Sequence, residues 1–217
     1  MRKIIALVGL TLSMQVNAAL IAEYDLATTP NNSTNVAATF VEPGFTATDL
    51  ILNNASSTTA SFSNHFYHNG WDSTLNTSKY YETTIGNANN FSLSKVDFSM
   101  ENTGGASTYW LRSSLDGFSA DIASGSFLNG LVTNFSVNLA ALGTLSAPVT
   151  FRWFVAGPSV SGFANHEIPG TGGGLADVGQ DLGFYGQAVS VPEPGSLLLL
   201  GLGLAGLSFA RKTRDTA

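Results

Sequence analysis

The chain has 217 residues, no cysteine and a formal net charge of −6. Its length suits one domain with short terminal segments, and the lack of cysteine excludes disulfides, thiolate metal sites and cysteine nucleophiles. Residues 19–190 contain thirteen acidic and only four basic residues, so their net charge is −9. Because binding to phosphates needs clustered Lys and Arg, this balance excludes nucleic acid as a partner.

The N-terminal segment has the layout of a secretory signal peptide. Arg2 and Lys3 precede an apolar run over residues 4–14, which is too short for a stable membrane span. Small residues then stand at the two positions that a signal peptidase reads. We therefore predict that signal peptidase cleaves the chain between Ala18 and Ala19.

The middle of the chain has the apolar alternation of β-strands. Residues 149–155 alternate most clearly, and residues 134–139 do so as well. Residues 91–100 contain two alternating runs whose phase changes near Lys95, which predicts a β-bulge. Further candidate strands are residues 20–26, 45–52, 80–85, 108–112 and 182–191. Turn residues separate them, as in Gly104-Gly105, Asp116-Gly117 and Gly143, and the spacing predicts an all-β fold, a β-sandwich of the jelly-roll type.

Arg112 precedes the turn sequence Ser-Leu-Asp-Gly-Phe at residues 114–118. Asp116 can accept hydrogen bonds from nearby backbone, and Gly117 tolerates a positive φ angle. We expect Arg112 to bind a neighbouring carboxylate or loop carbonyls, with contact to a glycan as the alternative.

The C-terminal segment combines three features in order. Val191, Pro192, Glu193, Pro194 and Gly195 form a stiff, extended entrance, because proline cannot continue a helix. Residues 195–210 carry no charge, and as a helix they would cover about 24 Å, a short membrane span. Arg211, Lys212 and Arg214 follow as a basic stop, which predicts a cytoplasmic end with the domain outside.

Residues 191–214 resemble the PEP-CTERM sorting signal, which has a Pro-Glu-Pro motif, a short Leu/Gly-rich span and an Arg-rich end. The resemblance implies a Gram-negative bacterium with an exopolysaccharide matrix. It also implies a membrane-embedded exosortase as partner, which would process the chain near residues 192–195.

Residues 79–190 are similar, more loosely, to a domain common in PEP-CTERM proteins. The similarity rests on residues 79–85, 94–99, 110–118 and 149–152. It implies a jelly-roll sandwich without an assigned activity. Residues 182–186 depart from the usual ending of that domain, which puts an inherited Asp ligand in doubt.

Candidate sites for chemistry are few. The chain has three histidines and no G-x-S-x-G sequence, so we predict no catalytic residues and no enzyme. We predict no cofactor, with calcium as the alternative. Glu23 or Asp25 with Asp177 or Asp181 would hold it, since first and last strands of a sandwich commonly pair. Trp71, in the sequence Asn-Gly-Trp-Asp, is the preferred exposed platform for a glycan.

These observations divide the chain into a signal peptide (residues 1–18), a β-sandwich domain (19–190) and a sorting signal (191–217). They predict an exported, non-enzymatic matrix protein that passes through the inner membrane to the cell surface. The alternative is a carbohydrate-binding module, with or without calcium, that binds exopolysaccharide.

Overall fold

The computed structural model describes residues 18–26, 33–57, 65–157, 160–164, 180–189 and 201. Within these residues there are sixteen strands, in the order β1 (Ala19–Tyr24), β2 (Asn35–Val36), β3 (Phe40–Val41), β4 (Phe45–Ala47), β5 (Leu50–Asn53), β6 (Ser56–Ser57), β7 (His65–Asn69), β8 (Tyr80–Asn87), β9 (Phe91–Asn102), β10 (Ala106–Ser113), β11 (Ala123–Leu128), β12 (Thr133–Asn138), β13 (Thr144–Leu145), β14 (Val149–Ala156), β15 (Ser161–Ala164) and β16 (Leu182–Ala188). Two short 3-10 helices span Ser114–Asp116 and Ala140–Leu142.

The strands form two antiparallel sheets. The nine-stranded sheet has the order β3-β1-β16-β9-β15-β7-β6. Strands β12 and β13 also pair with β9, along the edge opposite β16. The seven-stranded sheet has the order β11-β10-β14-β8-β5-β2, with β4 also paired to β8. The predicted all-β sandwich is therefore confirmed, whereas its jelly-roll type stays a prediction.

The core between the sheets is built from the inward positions of the alternating strands. In β14 of the seven-stranded sheet, Trp153 is fully buried. Its ring centroid lies 5.9, 5.5 and 6.2 Å from those of Phe98, Phe163 and Phe184, all on the nine-stranded sheet. Burial of each such side chain contributes about 1.5–3 kcal/mol, so this aromatic cluster is a principal reason why the two sheets stay together.

The predicted bulge is present in β9. Tyr185 of β16 is opposite Lys95, but the next residue, Gly186, is opposite Leu93, so Ser94 is the extra residue. The Oγ of Ser94 donates a hydrogen bond of 3.1 Å to the Tyr185 carbonyl. The bulge keeps the apolar residues on both sides of it pointing into the core.

The other strand predictions agree with the structure at the level of elements. The predicted run 45–52 is divided into β4 and β5, which both pair with β8. The turns at Gly105, Gly117 and Gly143 have positive φ angles, as glycine allows. The predicted runs do not include seven strands that are short or rich in small polar residues, namely β2, β3, β6, β7, β11, β13 and β15.

The first and last strands pair, as predicted. Ala19 at the start of β1 is opposite Gly186 near the end of β16, so the described domain begins and ends at neighbouring points. Ala18 and Ala19, the predicted cleavage pair, are both exposed there. None of the described residues forms a helix with the length and apolarity that crossing a membrane requires, and most of the predicted span lies outside them.

Candidate ligand-binding face

The structure places Trp71 in the core rather than on the surface. Its side chain is only 8% exposed. The ring centroid lies 5.2 Å from that of Tyr81, and Nε1 donates a hydrogen bond of 3.1 Å to the Ser161 carbonyl. A glycan platform needs an open ring face, so the prediction of an exposed platform at Trp71 is wrong.

Trp71 belongs to a buried polar network that joins the two sheets. The hydroxyl of Tyr81, on β8, lies 3.0 Å from Nδ1 of His68 and 3.0 Å from the Ser161 carbonyl oxygen. Nε2 of His68 lies 2.8 Å from the carbonyl oxygen of Ser33. A carbonyl only accepts, so Nε2 carries the proton and Nδ1 accepts from Tyr81. The network therefore holds a neutral histidine inside the sandwich.

Burial sets the charge state of His68. Desolvation lowers the pKa of the imidazole to about 4, although the hydrogen bond to Ser33 acts in the opposite direction. The same loss of solvent raises the pKa of the Tyr81 phenol well above its usual value. Both groups are uncharged at neutral pH. The one proton of the Tyr81 hydroxyl is donated to His68 Nδ1, and His68 Nε2 donates to the Ser33 carbonyl. Trp71 Nε1 donates to the Ser161 carbonyl.

The predicted calcium ligands are only partly within the described residues. Asp25 directly follows β1 and Asp181 directly precedes β16, which the pairing of Tyr24 with Leu182 makes neighbours. Oδ1 of Asp181 accepts a hydrogen bond of 3.1 Å from the Leu26 amide. Glu23 lies within β1, opposite Gly183, and Asp177 lies outside the described residues. Over the part of the chain that is described, no three His, Asp or Glu side chains cluster as a metal site.

The most distinctive surface is the outer face of the seven-stranded sheet, where two rows of side chains cross three adjacent strands. The aromatic row consists of Trp110, Phe154 and Tyr80, which are directly opposite one another in register. The charged row consists of Arg112, Arg152 and Glu82, two residues along each strand. We call these six residues the outer face. Alternation puts them opposite the core, yet all are at least half-buried, and Phe154 is only 1% exposed.

Arg152 lies at the centre of the outer face. Its Nε donates a hydrogen bond of 2.5 Å to the carboxylate of Glu82. Its guanidinium carbon lies 4.1 Å from the ring centroid of Tyr80 and 3.8 Å from that of Phe118. A guanidinium stacks well on aromatic rings, so two rings and one carboxylate fix its orientation.

Arg112 fixes the loop that supplies Phe118. Its Nε donates to Oδ1 of Asp121 at 2.6 Å, and its Nη1 donates to the Phe118 carbonyl at 3.1 Å. The carboxylate of Asp116 accepts the amides of Ser119 and Ala120. The predicted structural role of Arg112 is therefore confirmed. The contact between the Phe118 ring and Arg152 could not be predicted from the sequence, because the two residues are 34 positions apart.

The C-terminal end of the chain is similar to a known protein family. Fold and composition define an all-β sandwich domain without cysteine. Residues 190–212 match the family model described as the PEP-CTERM protein-sorting motif, and a search of curated proteins finds no match to this chain. The chain therefore carries a PEP-CTERM sorting motif, which indicates export and sorting to the cell surface by an exosortase. The motif residues, the basic stop and residues 1–17 lie outside the described part of the chain.

Proposed function

We propose that this protein is a non-enzymatic structural component of the exopolysaccharide matrix of a Gram-negative bacterium. The observation that carries the proposal is the sorting motif at residues 190–212, which follows a β-sandwich whose last strand ends at Ala188. A compact all-β domain joined directly to a sorting signal suits display outside the cell. Signal peptidase and exosortase are the two processing partners.

The geometry of the two chain ends supports a membrane-held intermediate. Because β1 and β16 pair, the point where the signal peptide joins the domain and the point where the sorting signal leaves it are neighbours on one sheet. If the membrane held the domain at both points, the end of the sandwich where β1 begins and β16 ends would face the inner membrane. The basic stop at Arg211, Lys212 and Arg214 would remain on the cytoplasmic side.

The test is the intact mass of the protein recovered from cells with and without the exosortase. We expect mature protein to lack residues 1–18 and to end near residues 192–195, and we expect exosortase-deficient cells to keep the C-terminal segment. A Pro192→Ala, Pro194→Ala variant should also keep it. Leu199→Ala, which leaves the motif intact, is the matched control and should be processed normally. Cytosolic protein with both ends intact would contradict the proposal.

A second function, carbohydrate binding, is favoured by the outer face. Aromatic rings next to fixed hydrogen-bonding groups are the usual components of a sugar site, and the outer face has both on one rigid sheet. Calcium dependence stays part of this alternative, because Asp25 and Asp181 are neighbours. A rise in the unfolding temperature of the purified protein on addition of calcium would support calcium dependence. Identical unfolding with calcium and with chelator would contradict calcium dependence and leave carbohydrate binding itself to the polysaccharide test.

A further inference from the structure

We propose that the outer face binds a neutral, extended polysaccharide, with Trp110 as the stacking ring and Arg152 with Glu82 as the hydroxyl-binding pair. This inference rests on the carbohydrate-binding alternative above and gives it a location and a ligand class.

The shape of the outer face fits a chain rather than a single sugar. Trp110 on β10 and Tyr80 on β8 are separated by one strand, so they lie about 10 Å apart. This distance is comparable with the length of a disaccharide in an extended chain. Phe154 lies between them but is only 1% exposed, with the Arg112 guanidinium carbon 5.2 Å from its ring centroid. The aromatic surface that a ligand can reach is therefore that of the partly exposed Trp110 and Tyr80 on either side.

The polar groups next to the aromatic row are held in place before any ligand binds. Arg152 uses only Nε for its bond to Glu82, and among the described residues nothing accepts a hydrogen bond from its two terminal nitrogens. The rings of Tyr80 and Phe118 prevent the guanidinium from rotating. A guanidinium and a carboxylate side by side offer both donors and acceptors to adjacent sugar hydroxyls.

Backbone strain supports a functional reason for this arrangement. Phe118 has a φ angle of +62°, a region that a bulky residue rarely occupies. Its amide donates to the Ser113 carbonyl at 2.9 Å, and its own carbonyl accepts from Arg112. The strain places an aromatic ring over Arg152, and strain of this kind concentrates at ligand sites.

The charge of the outer face and of the whole domain favours a neutral ligand. The two guanidiniums of the outer face are each paired with a carboxylate, Arg112 with Asp121 and Arg152 with Glu82, so the surface has no local excess of positive charge. Residues 19–190 carry a net charge of −9. A polyanion would be repelled, whereas a neutral polysaccharide meets no such barrier.

The chain offers a matched control on the opposite side of the sandwich. On the nine-stranded sheet, Lys95 lies 4.3 Å from the ring centroid of Tyr185, which is also a cation next to a half-buried aromatic ring. This pair has no neighbouring aromatic row in its register. Loss of Tyr185 should therefore leave polysaccharide binding unchanged.

The experiment is affinity electrophoresis of the full-length protein, purified in mild detergent, through gels that contain one polysaccharide each. The panel holds neutral glucans, mannans, galactans and xylan, and the acidic polymers alginate and pectate. We expect retardation by at least one neutral polymer, independent of salt. Trp110→Ala and Arg152→Lys should each weaken binding about tenfold, and Tyr185→Ala should not change it.

With the unmodified protein and the Tyr185→Ala control, three outcomes would overturn the inference. They are no retardation by any neutral polymer, retardation only by acidic polymers with loss in salt, and equal weakening by Tyr185→Ala. Phe118→Gly is the second variant, because it removes the ring and relieves the strain, so a folded protein with unchanged affinity would also contradict the proposal. Sorting is measured by intact mass and does not depend on this result, so failure of binding leaves the sorting proposal standing.

Discussion

Nδ1 of His68 lies 3.0 Å from the hydroxyl oxygen of Tyr81, which makes a neutral imidazole part of the contact between the two sheets. Desolvation lowers the pKa of His68 to about 4 in the folded protein, whereas an exposed histidine in the unfolded chain has a pKa near 6.5. The unfolded state therefore binds more protons between these two values. Protonation in that range favours unfolding.

We predict that the free energy of unfolding decreases as the pH falls from about 6.5 to 4, by on the order of 3 kcal/mol. Chemical denaturation at a series of pH values measures this slope. His68→Phe should remove most of the histidine contribution, and it should cost about 1–3 kcal/mol at pH 7 because the Ser33 carbonyl loses its donor. An unchanged slope in His68→Phe would show that other groups cause the acid sensitivity.

Gly162 permits the close approach of β15 to β7 and β8. A Cβ at this position would lie 2.2 Å from the Phe66 carbonyl oxygen and 2.5 Å from the Tyr81 hydroxyl. The first neighbour is backbone and cannot move without disturbing strand pairing. We therefore predict that Gly162→Ala destabilises the protein by about 3 kcal/mol or more, within the range of severe core substitutions.

Gly117→Ala is the comparison for Gly162→Ala. Gly117 has a φ angle of +69°, and a Cβ there would have no atom within 4 Å. Only backbone strain opposes alanine at this turn, so we expect a cost of about 1 kcal/mol. Thermal unfolding of both variants measures the difference. Similar losses at the two positions would show that the packing around Gly162 relaxes easily.

Arg112 should control the order of the loop that carries Phe118. Lysine can replace one of its two hydrogen bonds but not both, because it lacks the planar fork. We predict that Arg112→Lys destabilises the protein by only about 0.5–1.5 kcal/mol and speeds hydrogen exchange of the Phe118 amide. Asp121→Asn breaks the same ion pair and should act in the same direction. Unchanged exchange in both variants would mean that the turn at Asp116 holds the loop alone.

The parts of the fold that depend on local pattern could be predicted from the sequence. Strand β14 shows apolar alternation at Phe151 and Trp153, and both side chains are fully buried. The turn glycines needed only the rule that positive φ favours glycine. These features are set by residues within one element, so neighbouring residues contain the information.

The parts that depend on long-range pairing could not be predicted. Trp71 looked like a surface residue between polar neighbours, but its indole is fixed by Ser161, 90 residues away. The aromatic row exists only because Trp110, Phe154 and Tyr80 fall opposite one another in register. A shift of one residue in either pairing would turn one of these rings to the core side. No local pattern specifies that register.

Two single-residue deletions in β9 distinguish the effect of the bulge on the apolar alternation from the effect of shortening the strand. Removal of Ser94 joins Leu93 to Lys95 and gives an uninterrupted alternation, so the apolar residues on both sides would still face the core. The variant loses the hydrogen bond from Ser94 to Tyr185 and the one from the Leu139 amide to the Ser94 carbonyl. We therefore expect a folded protein, destabilised by about 1–3 kcal/mol.

Removal of Asp97 shortens the strand equally but breaks the alternation. Phe98 and Met100, both fully buried, would turn to the outer side of the nine-stranded sheet, or the pairing with β12 and β16 would have to slip. Either change exposes core side chains, so we expect this variant not to fold. Circular dichroism and thermal unfolding of the two deletions make the comparison. If both unfold, or both fold equally well, then the bulge is not what keeps the apolar face of β9 in phase.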